Sequence, residues 1–276
     1  MVSKLTAELS VIIPTKNNEK TIKTLLESIV NQGVQNIETI VIDNFSEDAT
    51  VRIAEEYGAN VLLAGPERCA QRNLGARVAT GSTLLFLDSD MELSSGVLVK
   101  CLAEIKHIDS LSIREISISN NFWMRSRALE RNVAYKTPFL LAARCIRKDV
   151  FFEVGGFDES ITGIEDFDLQ ARIVAKGYSH SLIIEPIYHH EEDIGFLAYL
   201  KKRKKYSESY HIFKQKHPDQ WSQLSSTRSR VRTLSEAIIN NAGIKNVFFL
   251  LGLVFIRFCE YVVTVGMDIS SMRIKK

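Results

Sequence analysis

Four short apolar stretches, separated by segments with helical periodicity, constrain this chain more than any other feature. "LSVII" (9–13), "IETIVI" (37–42), "NVLL" (60–63) and "TLLFL" (83–87) are rich in β-branched residues and read as strands. The segments between them carry apolar residues at helical spacing. Over about 19–32, Ile22, Leu25, Leu26 and Ile29 share one face, with Asn17 or Asn18 placed as a cap and Gly33 as a stop. "ATVRIAEEY" follows Ser46 or Asp48 as a cap and ends at Gly58, and "CAQRNLGARVAT" ends at Gly81. This alternation predicts βαβ units, hence an α/β fold with a mostly parallel sheet flanked by helices. In such sheets ligands bind beyond the carboxyl ends of the strands.

Three polar clusters fall at those ends: "PTKNN", "DNFSED" and "DSD". One crevice can therefore use all three. In an extended chain residues i and i+2 point the same way, which makes Asp88 and Asp90 candidates to share a hard divalent cation, Mn2+ or Mg2+. For an isolated D-x-D, the plainer account is one turn cap and one solvated aspartate. Asp43 and Asn44 are short polar groups suited to a base or ribose, whereas Ser46 and Asp48 read better as turn and cap residues. Arg68 and Arg72 suit either a bidentate phosphate contact or a surface ion pair.

Farther on, "REISIS" (114–119) and "FLLAARCI" (139–146) read as strands. "EDFDLQARIVAKG" reads as a helix with acidic residues in its first turn, and "HSLIIE" as a strand followed by "PIYHHEED". Adjacent helical positions point in different directions, so Glu165 and Asp166 are expected to do separate jobs. A helix N-terminus favours the ionised carboxylate, which suits a general base; complementarity to the helix dipole explains the pair equally well. His189 and His190 are candidates to complete a metal shell or touch a phosphate, although a lone histidine is more often structural.

The formal net charge of +2 gives no global sign of nucleic-acid binding. Cys69, Cys101, Cys145 and Cys259 lie far apart without a C-x-x-C, which argues against a zinc site and a disulfide framework. A reducing, cytosolic compartment is the default reading. "MVSKLTAELSVIIP" reads as the approach to a first strand, its apolar run being too short for a signal peptide.

Taken in order, "SVIIPTKNNEKTIKTLLESI", "IVIDNFSEDAT", "QRNLGARVATGSTLLFLDSDM", "VGGFDE" with "EDFDLQARIVAKGY", and "YHHEE" resemble the family 2 glycosyltransferases with a GT-A fold. The resemblance covers about residues 8–215; each motif is weak alone, and five in sequence are specific. It implies a nucleotide-sugar-dependent, inverting transfer assisted by Mn2+ or Mg2+. At matching positions it implies that Pro14, Thr15, Asn17 and Asp43 line the nucleoside pocket and that Arg72 approaches the nucleotide. Asp88 would lie near ribose and cation, Asp90 would ligate the cation, and His190, in preference to His189, would add a ligand or a diphosphate contact. Asp166 would be the catalytic base, with Glu165 beside it on the acceptor side. The loop "DNFSED" departs from the family's usual "DDGSxD", with Phe45 at a position that is commonly small. The choice between a UDP- and a GDP-linked donor therefore stays open.

The expected organisation is a GT-A domain over 1–215 and a C-terminal helical, membrane-associated segment over 216–276. The basic run Lys201–Lys205 suits a lipid surface or a solvated face. "VFFLLGLVFI" (247–256) is uncharged but shorter than the ~20 residues that span a bilayer. All of 247–267 would cross only by burying Arg257 and Glu260, which are spaced to pair on a helix. A helix lying in the membrane interface is the expectation, with a buried homodimer helix as the alternative. The functional expectation is an enzyme, peripheral or monotopic on the cytoplasmic side of a membrane, that extends a glycan or lipid-linked acceptor. Two alternatives are a polyprenyl-phosphate glycosyltransferase of the dolichyl-phosphate-sugar synthase type and a non-catalytic nucleotide-sugar-binding scaffold.

Overall fold

The structure is a computed structural model that describes residues 7–136, 142–241, 243 and 246–273, the side chains of 227–230 and 263–273 excepted. It divides into two compact units. A sheet unit comprises Met1–Glu115, Leu141–Ser160 and Glu165–His190, and a helical unit comprises Ile116–Leu140, Ile161–Ile164 and Glu191–Lys276. Grouped by contact, 116–140, 161–164 and everything from Glu191 onward belong to the helical unit.

The chain begins β1 (Leu9–Thr15), α1 (Ile22–Val30), β2 (Ile37–Asp43), α2 (Thr50–Glu56), β3 (Asn60–Leu63), α3 (Arg68–Val78) and β4 (Thr83–Phe86). β5 (Met91–Leu93), α4 (Val97–Glu104), β6 (Ser110–Ile118) and α5 (Phe122–Arg131) follow. Next come β7 (Cys145–Arg147), α6 (Lys148–Glu153), α7 (Glu165–Ala175) and β8 (His180–His190). The eight strands form one sheet in the order β3-β2-β1-β4-β7-β6-β8-β5. β1 to β4 pair in parallel, whereas β7 runs antiparallel to β4 and β6, and β5 antiparallel to β8. The sheet is therefore mixed, with its parallel half in the stretch where strand and helix alternate most regularly.

β1 is buried along its whole length because helices cover both faces of the sheet. Val11 and Ile13 face α1 and α4, whereas Ile12 joins Cys69 and Ala76 of α3, Phe151 of α6 and Leu169 of α7. Gly75 sets how near α3 can come: a Cβ there would stand 2.4 Å from Ile12 Cγ2.

Three segments differ from their sequence reading, the first being "REISIS", whose strand begins already at Ser110 and ends at Ile118. Of "FLLAARCI", 139–141 lie outside the described residues, and the strand begins only at Cys145. Arg144 nevertheless bonds both neighbours, its N–H to Leu111 O and its carbonyl to Phe86 N–H, at 2.9 Å each. β8 continues through Pro186 to His190, because proline removes a donor and leaves its carbonyl, which accepts from Ser94 N–H at 3.1 Å.

The helical unit contains α5, with Asn121 capping it through Trp123 and Met124 N–H, then α8 (Phe196–Ser207), α9 (Tyr210–Lys216), α10 (Pro218–Ser225), α11 (Thr227–Asn240) and α12 (Val247–Arg273). Met124, Tyr199 and Ile256 join α5, α8 and α12, and Gly252 allows α12 to lie close on Ser126 and Phe122. Arg257 and Glu260 do pair on α12, and both also turn inward, Arg257 to Glu130 and Glu260 to the Tyr199 hydroxyl and Arg203. Among the described residues no helix is long and apolar enough to cross a membrane.

Candidate active site

Register brings the strand ends level. Thr15 lies opposite Asp43, and Asp43 opposite Leu63. β4 pairs Phe86 with Ile12, so Asp88, two residues past Phe86, falls at the height of Pro14. The loops after β1 and β2 are bonded together. Asp43 accepts from Ser46 N–H at 2.7 Å and from its hydroxyl at 2.5 Å. Asn17, in the left-handed region at φ 51°, donates its N–H to Ser46 Oγ and accepts from Glu47 N–H. Asn17 and Asn18 therefore tie loops instead of capping α1, whose N-cap Thr21 makes no side-chain cap bond. The N-cap of α2 is Ala49, not the expected Asp48 or Ser46, and it has no side-chain cap bond; Asp48, one residue earlier, accepts from Thr50 N–H at 3.0 Å. Gln71 holds the floor, donating to Ile42 O at 2.6 Å and Thr15 O at 3.2 Å. Phe45 also has a positive φ of 51° and stands 61% exposed at the lip.

Arg72 is the centre of the site and is only 1% exposed. Its Nη2 lies 2.5 Å from Asp88 Oδ1, and its Nη1 lies 3.3 Å from both Glu165 Oε1 and Asp166 Oδ1. The Phe157 ring sits 5.2 Å from its Cζ. Arg72, expected to approach the nucleotide, is instead enclosed by three carboxylates. Glu165 and Asp166, expected to act apart, converge on one guanidinium nitrogen, because side chains of a first helical turn lean toward the helix N-terminus. Asp88 is held from its other side as well, with Oδ2 3.6 Å from Arg144 Nη2. Arg144 Nε in turn donates to Glu115 Oε1 at 2.5 Å. Arg68, half exposed, reaches Glu165 at 3.4 Å, and Glu165 Oε2 is buried with no hydrogen-bond partner among the described residues.

These contacts separate the carboxylates chemically. Burial alone would raise Asp88, but the Arg72 and Arg144 guanidiniums outweigh it and hold the carboxyl well below the usual range. For Asp166 burial wins; Arg72 opposes it, the neighbouring Glu165 charge adds to it, and the net shift is upward. Asp166 is also 26% exposed, so an incoming group can reach it. Burial raises Cys69, beside Glu165, to about 12, so its thiol stays protonated at neutral pH.

β5 and β8 bring "DSD" and "HH" together, with Met91 opposite His189 and His190 N–H bonded to Asp90 O at 2.8 Å. Alternation along β8 then sends the two imidazoles opposite ways. It is His189, not the expected His190, that reaches the Asp90 side chain, with Nε2 3.2 Å from Oδ2. Its Nδ1 faces Glu115 Oε2 at 3.6 Å. His190 pairs with Glu92 at 2.8 Å.

As a donor set for a divalent cation, these residues fit in part. Among the described residues no group of three or more His, Cys, Asp or Glu is arranged to hold a metal. Asp88, expected as a ligand, commits both oxygens to guanidiniums. Asp90 and His189 remain, one carboxylate and one imidazole of the type that Mn2+ accepts. An ion held by two protein donors takes its other ligands from water or from the oxygens of a bound diphosphate.

Sequence reasoning missed Arg144, Glu115 and Gln71. Arg144 had a signal: a charged residue inside the apolar run "FLLAARCI" is costly unless paired. Glu115 and Gln71 had none, since each sits in an ordinary mixed stretch.

The family model described as "Glycosyl transferase family 2" matches residues 10–158. The chain is similar to an "Uncharacterized glycosyltransferase" of Haemophilus influenzae, 26% identical over 196 residues that cover 65% of this chain and 66% of that protein. It is also similar to the minor teichoic acid biosynthesis protein GgaB of Bacillus subtilis, 28% identical over 208 residues that cover 66% of this chain and 23% of GgaB. The chain thus spans just under two thirds of the first relative's length and less than a quarter of the second's. Its fold matches that of mannosyltransferase PcManGT from Pyrobaculum calidifontis in complex with GDP-Man and Mn2+. The TM-score is 0.61 at 13% identity, over 94% of this chain and 87% of that one.

Proposed function

The chain belongs to glycosyl transferase family 2 and has the GT-A fold, and from that premise we propose a metal-dependent, inverting transfer of a sugar from a UDP- or GDP-linked donor to a hydroxyl of a glycan acceptor. The observation that carries this reading is Asp166: a carboxylate at the start of α7, raised by burial, reachable from outside, and gripped by an arginine that also holds Asp88.

Pro14, Thr15 and Asp43 line the nucleoside end, and Asp90 with His189 would hold the cation. That cation, Mn2+ or Mg2+, supplies neutralisation of the charge growing on the leaving diphosphate. Asp166 Oδ takes the proton from the acceptor hydroxyl as its oxygen attacks the anomeric carbon. Attack from the face opposite the diphosphate inverts the configuration, through a transition state with oxocarbenium character. Arg72 fixes Asp166 relative to Asp88, and Arg144 with Glu115 fixes Asp88 relative to His189. A polyprenyl phosphate is already anionic and needs no such base, so the raised Asp166 favours a hydroxyl acceptor. The teichoic acid role in GgaB's name supports an acceptor among cell-surface polymers, which fits a lipid-linked glycan met at the cytosolic face of a membrane. The free cysteines suit that reducing side.

Calorimetric titration of UDP and GDP with and without Mn2+, followed by donor turnover, tests the reading. Metal-dependent binding of one nucleotide is expected, lost in Asp90→Ala and kept in Asp166→Asn. The latter variant should lose turnover by roughly 10²–10⁴-fold. A folded protein that binds neither nucleotide would overturn the proposal, and near-normal turnover in Asp166→Asn would remove the base.

A further inference from the structure

The outward side of α12 presents Phe248, Leu251, Val254, Phe255, Phe258 and Val262 at spacings of three and four residues, each between 48% and 73% exposed. From 247 to 262 the helix has two charged residues, and both leave this side. Arg257 turns to Glu130 on α5 and to Glu260, and Glu260 to Tyr199 and Arg203 on α8. Four turns of helix are thereby left with an outer face that is apolar throughout, although the sequence places an arginine and a glutamate in their midst. An apolar stripe of this extent marks an interaction surface.

The stripe continues onto α8. The rings of Phe255 and Phe196 are 5.6 Å apart, and Trp123 stacks on Phe196 at 4.5 Å. Leu197, next in the chain, is 73% exposed. One and two turns on from Leu197, on the same face of α8, lie Lys201 and Lys204, followed by Lys205. Lys202 pairs with Glu192 and Arg203 with Glu260, whereas Lys201, Lys204 and Lys205 are exposed and have no ion-pair partner among the described residues.

We propose that this combined face, the apolar stripe of α12 with the free lysines of α8, docks the helical unit onto an anionic lipid surface without crossing it. Apolar and aromatic side chains enter the headgroup boundary, and lysines reach the phosphates on flexible apolar stems. Charge decides between occupants: a second copy would set lysine rows against each other, whereas anionic headgroups complement them. Lying flat also agrees with the absence, among the described residues, of a helix long and apolar enough to cross. The inference rests on the membrane-face reading and adds the surface and the lipid chemistry.

The test is sedimentation of the full chain with vesicles of phosphatidylcholine alone and of equimolar phosphatidylcholine and phosphatidylglycerol. Co-sedimentation is expected with the anionic vesicles and should fall to background in Leu251→Glu/Phe258→Glu. Lys201→Gln/Lys204→Gln/Lys205→Gln should weaken anionic binding by roughly a hundredfold and remove its salt dependence. All substituted positions are exposed, so melting temperature and nucleotide binding are expected to match the unsubstituted chain, which separates this outcome from failure of the catalytic reading. Three results would overturn the proposal. One is no sedimentation with either vesicle, and another is sedimentation indifferent to both variants. The third is a solution dimer split by Leu251→Glu/Phe258→Glu, which would make a second copy the occupant.

Discussion

Each unit holds a cluster of arginines and carboxylates, and the clusters balance differently. In the helical unit two arginines meet two carboxylates. Arg257 bonds Glu130 and Glu260, and Glu260 also takes Arg203 at 3.1 Å and the Tyr199 hydroxyl. In the sheet unit Arg72, Arg144 and the half-exposed Arg68 face four carboxylates, Asp88, Glu115, Glu165 and Asp166. There one oxygen of Glu165 lacks a hydrogen-bond partner among the described residues, and Asp166 is pushed toward its protonated form. A balanced cluster spends its charge on holding helices together. A surplus of carboxylate, left beside a reachable oxygen, stores electrostatic free energy that a cation or a proton can release, and perturbed groups of this kind mark functional sites.

The comparison can be broken hardest at Arg72. Arg72→Met would take from Asp166 the guanidinium that grips it and leave Asp88 with Arg144 and Glu165 with Arg68, and a loss of about 3–5 kcal/mol is expected in urea unfolding, with turnover abolished. Adding Glu165→Gln should recover part of that loss, because it removes a like charge from beside Asp166. Arg257→Met in the helical unit should cost less, since the Arg257 side chain is 40% exposed, Glu260 keeps Arg203, and Glu130 alone loses its guanidinium. Equal losses at the two arginines would show that the clusters are alike and that the surplus in the sheet unit has no special consequence.

How far the site could be read from sequence follows the same divide. β1 to β4 and the level ends at Thr15 and Asp43 followed from periodicity, because in the parallel half each strand is a local apolar run and each return is a helix. Alternation did not carry over to Asp88 and Asp90, because the chain turns there, with Met91 N–H on Asp88 O, and Asp88 meets Arg72 and Arg144 whereas Asp90 meets His189. The antiparallel half did not follow from periodicity, because β7 inserts between β4 and β6 through pairings that no local pattern announces. Which histidine meets Asp90 depends on the face of β8, and that is fixed by pairing with β5 nearly a hundred residues earlier. Arg72 read as a phosphate contact because its carboxylate partners on α7 lie more than ninety residues away. Local rules place side chains on faces, and long-range pairing decides what those faces meet.

Titration sharpens the comparison, because the clusters should respond to pH with opposite sign. Asp166 is raised in the folded state, so its contribution to stability is present below its unfolded pKa and lost as pH rises through the folded value. Asp166→Asn should therefore leave the protein slightly more stable at neutral pH and should flatten that loss. In the helical unit burial would raise Glu260, but Arg257 and Arg203 outweigh it and the net shift is downward. Its contribution is present above the unfolded value and disappears as pH falls through the folded one, so Glu260→Gln should cost stability at neutral pH and little in acid. Activity should rise with pH along a limb displaced upward from the ordinary aspartate value, and Glu165→Gln should move that limb down by removing a like charge from beside Asp166. Melting temperatures across pH and the pH profile of kcat check both halves.

The smallest effect is expected where the cluster is balanced. Replacing Glu130, Arg203, Arg257 and Glu260 together with apolar residues of similar volume, with Tyr199→Phe and Tyr210→Phe because Arg203 also bonds the Tyr210 hydroxyl, removes the four paired charges at once. Lost attraction and relieved desolvation then nearly cancel, and stability should change by about 1 kcal/mol or less in either direction. Nucleotide binding should be untouched, since the residues proposed to hold the nucleotide all belong to the sheet unit. The equivalent replacement of Arg72, Asp88, Glu165 and Asp166 would also remove opposing charges together and so need not unfold the sheet, yet it should leave no turnover. A helical unit that collapses on losing its four charges would mean that they select how α5, α8 and α12 pack. The outer face of α12 would then depend on the inward turn of Arg257 and Glu260, and vesicle binding should be lost with the cluster.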